Sequence, residues 1–154
     1  MGRMIVVLAF TLGLASGQTS NRTAEERQAI LDYKLTMARA NQLLAAMQDI
    51  TRYLVSRPDW QSRMAKSAKM TPAERAASME QDPKVMAILK QNDLTARDYL
   101  AGILALRYAV WLAAGRTGNP DIIASPANLA FAKANLAQLL PKMDAADGVS
   151  APRK

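Results

Sequence analysis

The sequence predicts an all-α fold, an irregular helical bundle in which a long N-terminal helix packs around a buried central helix. Three observations carry this. No stretch alternates polar and apolar residues with period two for long enough to be a strand. Apolar residues recur at three- and four-residue spacing through most of the chain. Helix-start signatures, a Ser, Thr or Asp followed by Pro or by an acid three places on, punctuate it repeatedly.

The central helix is the most constrained element. Thr95 and Asp98 are spaced as a capping box, Leu94 and Tyr99 as a hydrophobic staple, and Gly115 supplies a left-handed residue after the last turn. Between Tyr99 and Ala114 the sole charge is Arg107, so the helix needs cover on several sides. It is shorter than a membrane span, and a central Arg costs about 2.5–3.5 kcal/mol on insertion scales, so it reads as core.

The remaining elements follow in order. Residues 1–17 read as a signal peptide: Arg3 precedes an apolar run from Ile5 to Leu14, and Ala15 and Gly17 are small residues placed for cleavage before Gln18. That run is about 10 residues, half of the roughly 20 a spanning helix needs. Residues 18–147 form the expected helical domain. Thr23-Ala24-Glu25-Glu26 opens a helix expected to run unbroken to about Ser56, with Ile30, Tyr33, Met37, Ala40, Leu44, Met47, Thr51 and Leu54 forming a seam of period 3.5. Pro58 closes it. Three short helices start at Trp60, at Thr71-Pro72 and at Asp82-Pro83. After the central helix comes a turn-rich loop from Arg116 to Asp121, with Ile122 and Ile123 expected to tuck back against the core. Ser125-Pro126 starts the last helix, which Pro141 is expected to kink or end. Residues 148–154 read as a flexible basic tail.

Composition excludes several chemistries. The chain has 154 residues, no Cys and no His. Disulfides, Cys–His or Ser–His–Asp nucleophiles and His-based metal sites are therefore absent. There is no Gly-rich phosphate loop, and no carboxylate pair stands in an apolar context. The expectation is a non-catalytic protein with no cofactor. Lys and Arg number 20 against 13 Asp and Glu, a net charge of +7, or +6 once Arg3 leaves with the leader. In a periplasmic or secreted protein that charge favours an anionic envelope component or a protein over nucleic acid as partner.

Two groups of residues are candidates for anion or partner binding. Arg63, Lys66 and Lys69 belong to a basic segment with Arg52, Arg57 and Arg75, Tyr53 and Trp60 interleaved, suited to an anionic surface or to a solvated helix face. Arg107 has Trp111 four residues on, close enough to stack on its guanidinium. It is either a buried cation paired with a carboxylate of another helix or an anion-binding group in a cavity. Gly102, Ala105, Ala109 and Ala113 make a small-residue strip, expected to meet Ala38 and Ala45. Met37, Met47, Met64, Met70, Met79 and Met86 suit core packing or an adaptable groove better than a soft-metal site, because none stands in a dense Met-x-Met cluster.

Asp82-Pro83-Lys84 through Leu94-Thr95-Ala96-Arg97-Asp98-Tyr99-Leu100, together with Ser125-Pro126-Ala127-Asn128-Leu129-Ala130-Phe131, resemble a group of small exported bacterial all-helical proteins of unknown function. The resemblance covers the second half of the chain and implies a periplasmic helical protein, with no active residues to carry over. Thr71-Pro72-Ala73-Glu74 and Leu94-Thr95-Ala96-Arg97 are similar to helix starts of helical periplasmic stress chaperones with Leu-Thr-x-x-Gln motifs, although the Gln is absent from both. The function expected is binding of a partner in the cell envelope; the alternative is a chaperone-like or anionic-surface-binding stress protein.

Overall fold

A computed structural model of the protein describes residues 22–116 and 118–147. The signal peptide expected at 1–17 and the basic tail at 148–154 lie outside them. The described residues form helices only: α1 (Ala24–Asp32), α2 (Met37–Val55), α3 (Trp60–Ser67), α4 (Pro72–Glu80), α5 (Pro83–Gln91), α6 (Ala96–Ala113) and α7 (Pro126–Ala146). None of these helices is long and apolar enough to cross a membrane.

Local chemistry sets the helix starts. Thr23 with Glu26, Thr71 with Glu74 and Thr95 with Asp98 each close a reciprocal capping box. Asp82 and Ser125 cap α5 and α7, each ahead of a proline at the first helical position. Two helix ends are Schellman motifs. After α6, Gly115 takes φ 78°, and the Arg116 and Gly115 amides donate to Trp111 and Leu112 carbonyls. After α5 the left-handed position is held by Asp93, φ 54°, with the Leu94 amide donating to the Leu89 carbonyl at 3.0 Å.

Helix α6 is the axis of the packing. Every residue from Gly102 to Val110 is buried, and α1, α2, α4, α5 and α7 all lie against it. Leu43, Met47, Leu89, Ile103, Leu106 and Leu139 fill the main core. Ile122 and Ile123 pack on a smaller cluster of Ile30, Leu104, Ala105 and Tyr108, as the sequence predicts.

Two expectations are corrected and a third is narrowed. The single helix from Thr23 to Ser56 is two helices, broken at residues 33–36, where Tyr33 and Thr36 are extended. The buried Asn128 side chain accepts from the Leu35 amide at 3.1 Å and donates to the Tyr33 carbonyl at 2.6 Å, so both backbone groups are satisfied outside any helix. The small-residue strip does not meet Ala38 and Ala45, which are exposed. Instead the Tyr33 ring lies on Gly102: a Cβ there would come within 2.6 Å of Tyr33 Cζ and 2.9 Å of Leu43 Cδ2. Of the two outcomes expected at Pro141, a kink or an end, the end is excluded: α7 continues to Ala146. Pro141 is exposed, while Met143 and Ala146 beyond it are buried, and that burial holds the last turn in helix.

Two stability predictions follow from this joint. Asn128→Ala strands an amide and a carbonyl, and equilibrium unfolding in denaturant is expected to show a loss of about 2–4 kcal/mol. Gly102→Ala gains about 1 kcal/mol of helix propensity but overpacks against Tyr33, so a net loss of about 1 kcal/mol is expected. That loss shrinks in a Tyr33→Leu background, which a double-mutant cycle measures.

Candidate binding cleft

Four helices leave a space that the fifth only partly roofs. Helix α2 presents Met47, Ile50, Tyr53 and Leu54 on one face, and α6 presents Tyr99, Leu100, Ile103 and Arg107. Arg75, Ser78 and Met79 of α4 and Asp82, Pro83 and Val85 at the start of α5 form the far wall. The roof is α3, whose Trp60, Met64 and Ser67 share one face at i, i+4 and i+7. The cleft between them is about 610 Å³.

Helix α3 differs from the others in having no buried residue, and it packs extensively on no other helix. Polar tethers hold its ends. At the N-terminus, Asp59 accepts from Arg57 Nε at 3.1 Å and Arg63 Nε at 2.7 Å. Those guanidiniums hold its carboxyl down at about 2. At the C-terminus, Arg75 Nε donates to the Ser67 carbonyl at 3.1 Å, capping a free helix end. Arg57 also donates to Tyr53 Oη at 2.7 Å, and that hydroxyl donates to Asp82, the cap of α5.

These pairings decide which charges face the cleft uncompensated. Arg57 is paired with Asp59 and Asp82, Arg63 with Asp59, and Arg107 with Asp147. Arg75 and Lys66 also line the cleft, and neither is in an ion pair among the described residues. Burial, with the neighbouring Arg22, pushes the Arg75 guanidinium below its ordinary range, against the smaller opposing pull of Glu26.

Of the residues singled out in the sequence, Trp60, Arg63, Lys66 and Arg107 come together at this cleft. Lys69 lies outside it, in a shallow depression with Lys66, Met70 and Glu74. Trp111 stands behind Arg107 rather than in the cleft, with the guanidinium carbon 5.8 Å from its ring centroid. Of the two roles open for Arg107, the geometry shows the ion pair: 1% exposed, it donates from Nη2 to Asp147 Oδ1 at 2.5 Å and to Met47 Sδ at 3.5 Å. Tyr53, Arg57 and Arg75 of the same basic segment, and Met47, Met64, Met70 and Met79 of the methionine set, line the cleft with them. The Tyr53–Arg57 spacing of four is a local signal for their hydrogen bond; the Arg75–Ser67 contact has none, because Ser67 belongs to another helix.

Comparison of the chain with protein-family models, with curated proteins and with solved structures finds no match. The cleft therefore has to be read from its own chemistry.

The buried ion pair generates the next prediction. Burial raises the Asp147 carboxyl above its ordinary 3.8, and the opposing pull of Arg107 is the smaller effect despite the short contact. Only between pH 3.8 and the raised value does the folded protein hold a proton there that the unfolded chain has released; above it the carboxylate is ionised against Arg107. Asp147's contribution to stability is greatest at low pH and declines as pH rises from 3.8 through the raised value. Arg107→Met removes the lowering influence, so that window widens upward and unfolding between pH 4 and 7 is expected to show a steeper decline. Asp147→Ala abolishes the window and, by leaving a buried guanidinium without its acid, is expected to cost about 3 kcal/mol.

Proposed function

We propose that this chain is exported and acts without catalysis, holding an anionic, partly apolar component of the cell envelope in the cleft under α3. One observation carries the proposal: an apolar floor lies beside Arg75 and Lys66, neither of which is in an ion pair among the described residues. A cleft that sets an apolar lining beside cations outside any ion pair is complementary to a partner carrying both an apolar part and a negative charge. Non-catalytic action is supported by what the cleft wall contains. Its carboxylate, Asp82, is committed to capping α5, and the chain supplies neither His nor Cys as base or nucleophile. Export is supported by the sequence of residues 1–17 alone.

A chaperone-like reading has its own observation. Met47, Met64, Met70 and Met79 all line the cleft, and unbranched thioethers adapt to varied apolar shapes. The two readings differ in how many partners they predict.

Photo-crosslinking in intact cells tests them. A photoreactive residue in place of Met64 faces the cleft, and one in place of the exposed Ala134 on α7 is the control. The expected result is a discrete light-dependent adduct from position 64 only, on a chain whose N-terminus is Gln18. A broad ladder of adducts from position 64 selects the chaperone-like reading. No adduct, or equal adducts from both positions, overturns binding at the cleft.

A further inference from the structure

We infer that the cleft takes one long-chain fatty acid, its carboxylate at Arg75 and Lys66 and its acyl chain along the floor made by α2 and α6. This rests on the binding function proposed above and names the ligand.

Charge points to a monoanion with a compact head. Arg75 spends Nε on the Ser67 carbonyl, and its two Nη groups make no hydrogen bond or ion pair among the described residues. Lys66 likewise makes none. A guanidinium with its outer nitrogens unused matches the two oxygens of a carboxylate, and a lysine beside it adds a point charge. Both belong to the junction of α3 and α4, so the head group is expected at that end of the cleft.

Size selects a single chain. Taking each heavy atom at about the ~30 Å³ that a water occupies in the liquid, 610 Å³ holds about 20 heavy atoms, the size of a fatty acid of about 18 carbons. A two-chain phospholipid is more than twice that. The floor away from the cations is Met47, Ile50, Leu100, Ile103 and Met79, which offers dispersion contacts and little else to a chain.

The lining also argues against a peptide. Its walls are helices, whose backbone groups bond internally, so there is no strand edge to pair with. A docking helix would need the place that α3 already occupies, with Trp60 and Met64 on the cleft. An acyl chain is slim enough to lie beneath them. Because α3 buries no residue, it can lift to admit a chain without opening the core.

The test is displacement of a fluorescent polyene fatty acid from the purified protein by octadecenoate, with its methyl ester and an acidic amphipathic helical peptide as competitors. One-to-one binding of octadecenoate is expected, at least tenfold tighter than the ester. Arg75→Gln with Lys66→Gln is expected to weaken octadecenoate at least tenfold and leave the ester unchanged. Circular dichroism of the double variant checks the fold, and Lys66→Gln alone, on an exposed residue, repeats the comparison if Arg75 proves needed for folding. Equal affinity for acid and ester, or an unchanged affinity in the variants, overturns the inference. If the peptide displaces the probe and octadecenoate does not, the fatty acid is wrong while cleft binding stands. Absence of any adduct from position 64 in cells removes the binding function itself.

Discussion

Helix α6 hides every residue from Gly102 to Val110 from water, and the rest of the chain is arranged to meet that constraint. Its one buried charge, Arg107, is 1% exposed, so covering the helix also means supplying a buried guanidinium with an acid. Asp147 does so from the end of α7, 40 residues away. The length of α7 follows from this: it has to run past Pro141, losing one backbone hydrogen bond, to bring Asp147 to the middle of α6. A buried ion pair of this kind adds little net stability compared with apolar residues of the same volume, but breaking it by removing one partner is costly. Its effect is to fix how α6 and α7 sit against each other.

Five helices are used in covering α6, and α3 is not among them. That division explains why the molecule has a cleft at all. A segment of eight residues with no buried side chain, its Trp60, Arg63, Met64, Lys66 and Ser67 all lining the cleft, is too short to bury a full stripe. It is held by side-chain tethers at its ends instead, which leaves space beneath it. Few buried contacts mark the elements that open most readily, and α3 buries no residue. The same tethers consume the charges of Arg57 and Arg63 and leave those of Arg75 and Lys66 available.

The helix starts were legible in the sequence because capping is a matter of three or four residues. Thr23, Thr71, Asp82, Thr95 and Ser125 each cap where their local context says they should. The break at 33–36 was not legible. Apolar spacing continues across it, Thr36 has Arg39 where a capping box would place an acid, and the groups that satisfy the broken backbone come from Asn128. Gly102 was correctly suspected of close packing, but against the wrong neighbours, because the break swings Tyr33 onto it.

The chain's own letters, read four residues at a time, determined that it is helical, where most helices begin, and that residues 99–114 form an element to be hidden. Caps and apolar periodicity are local, so no partner is needed to see them. Which cations remain uncompensated at the cleft was decided only by the tertiary structure. Arg57 reaches Asp82 and Arg107 reaches Asp147 because packing brings distant helices together. Charge pairing across a fold depends on distance in space, and spacing along the chain does not encode it.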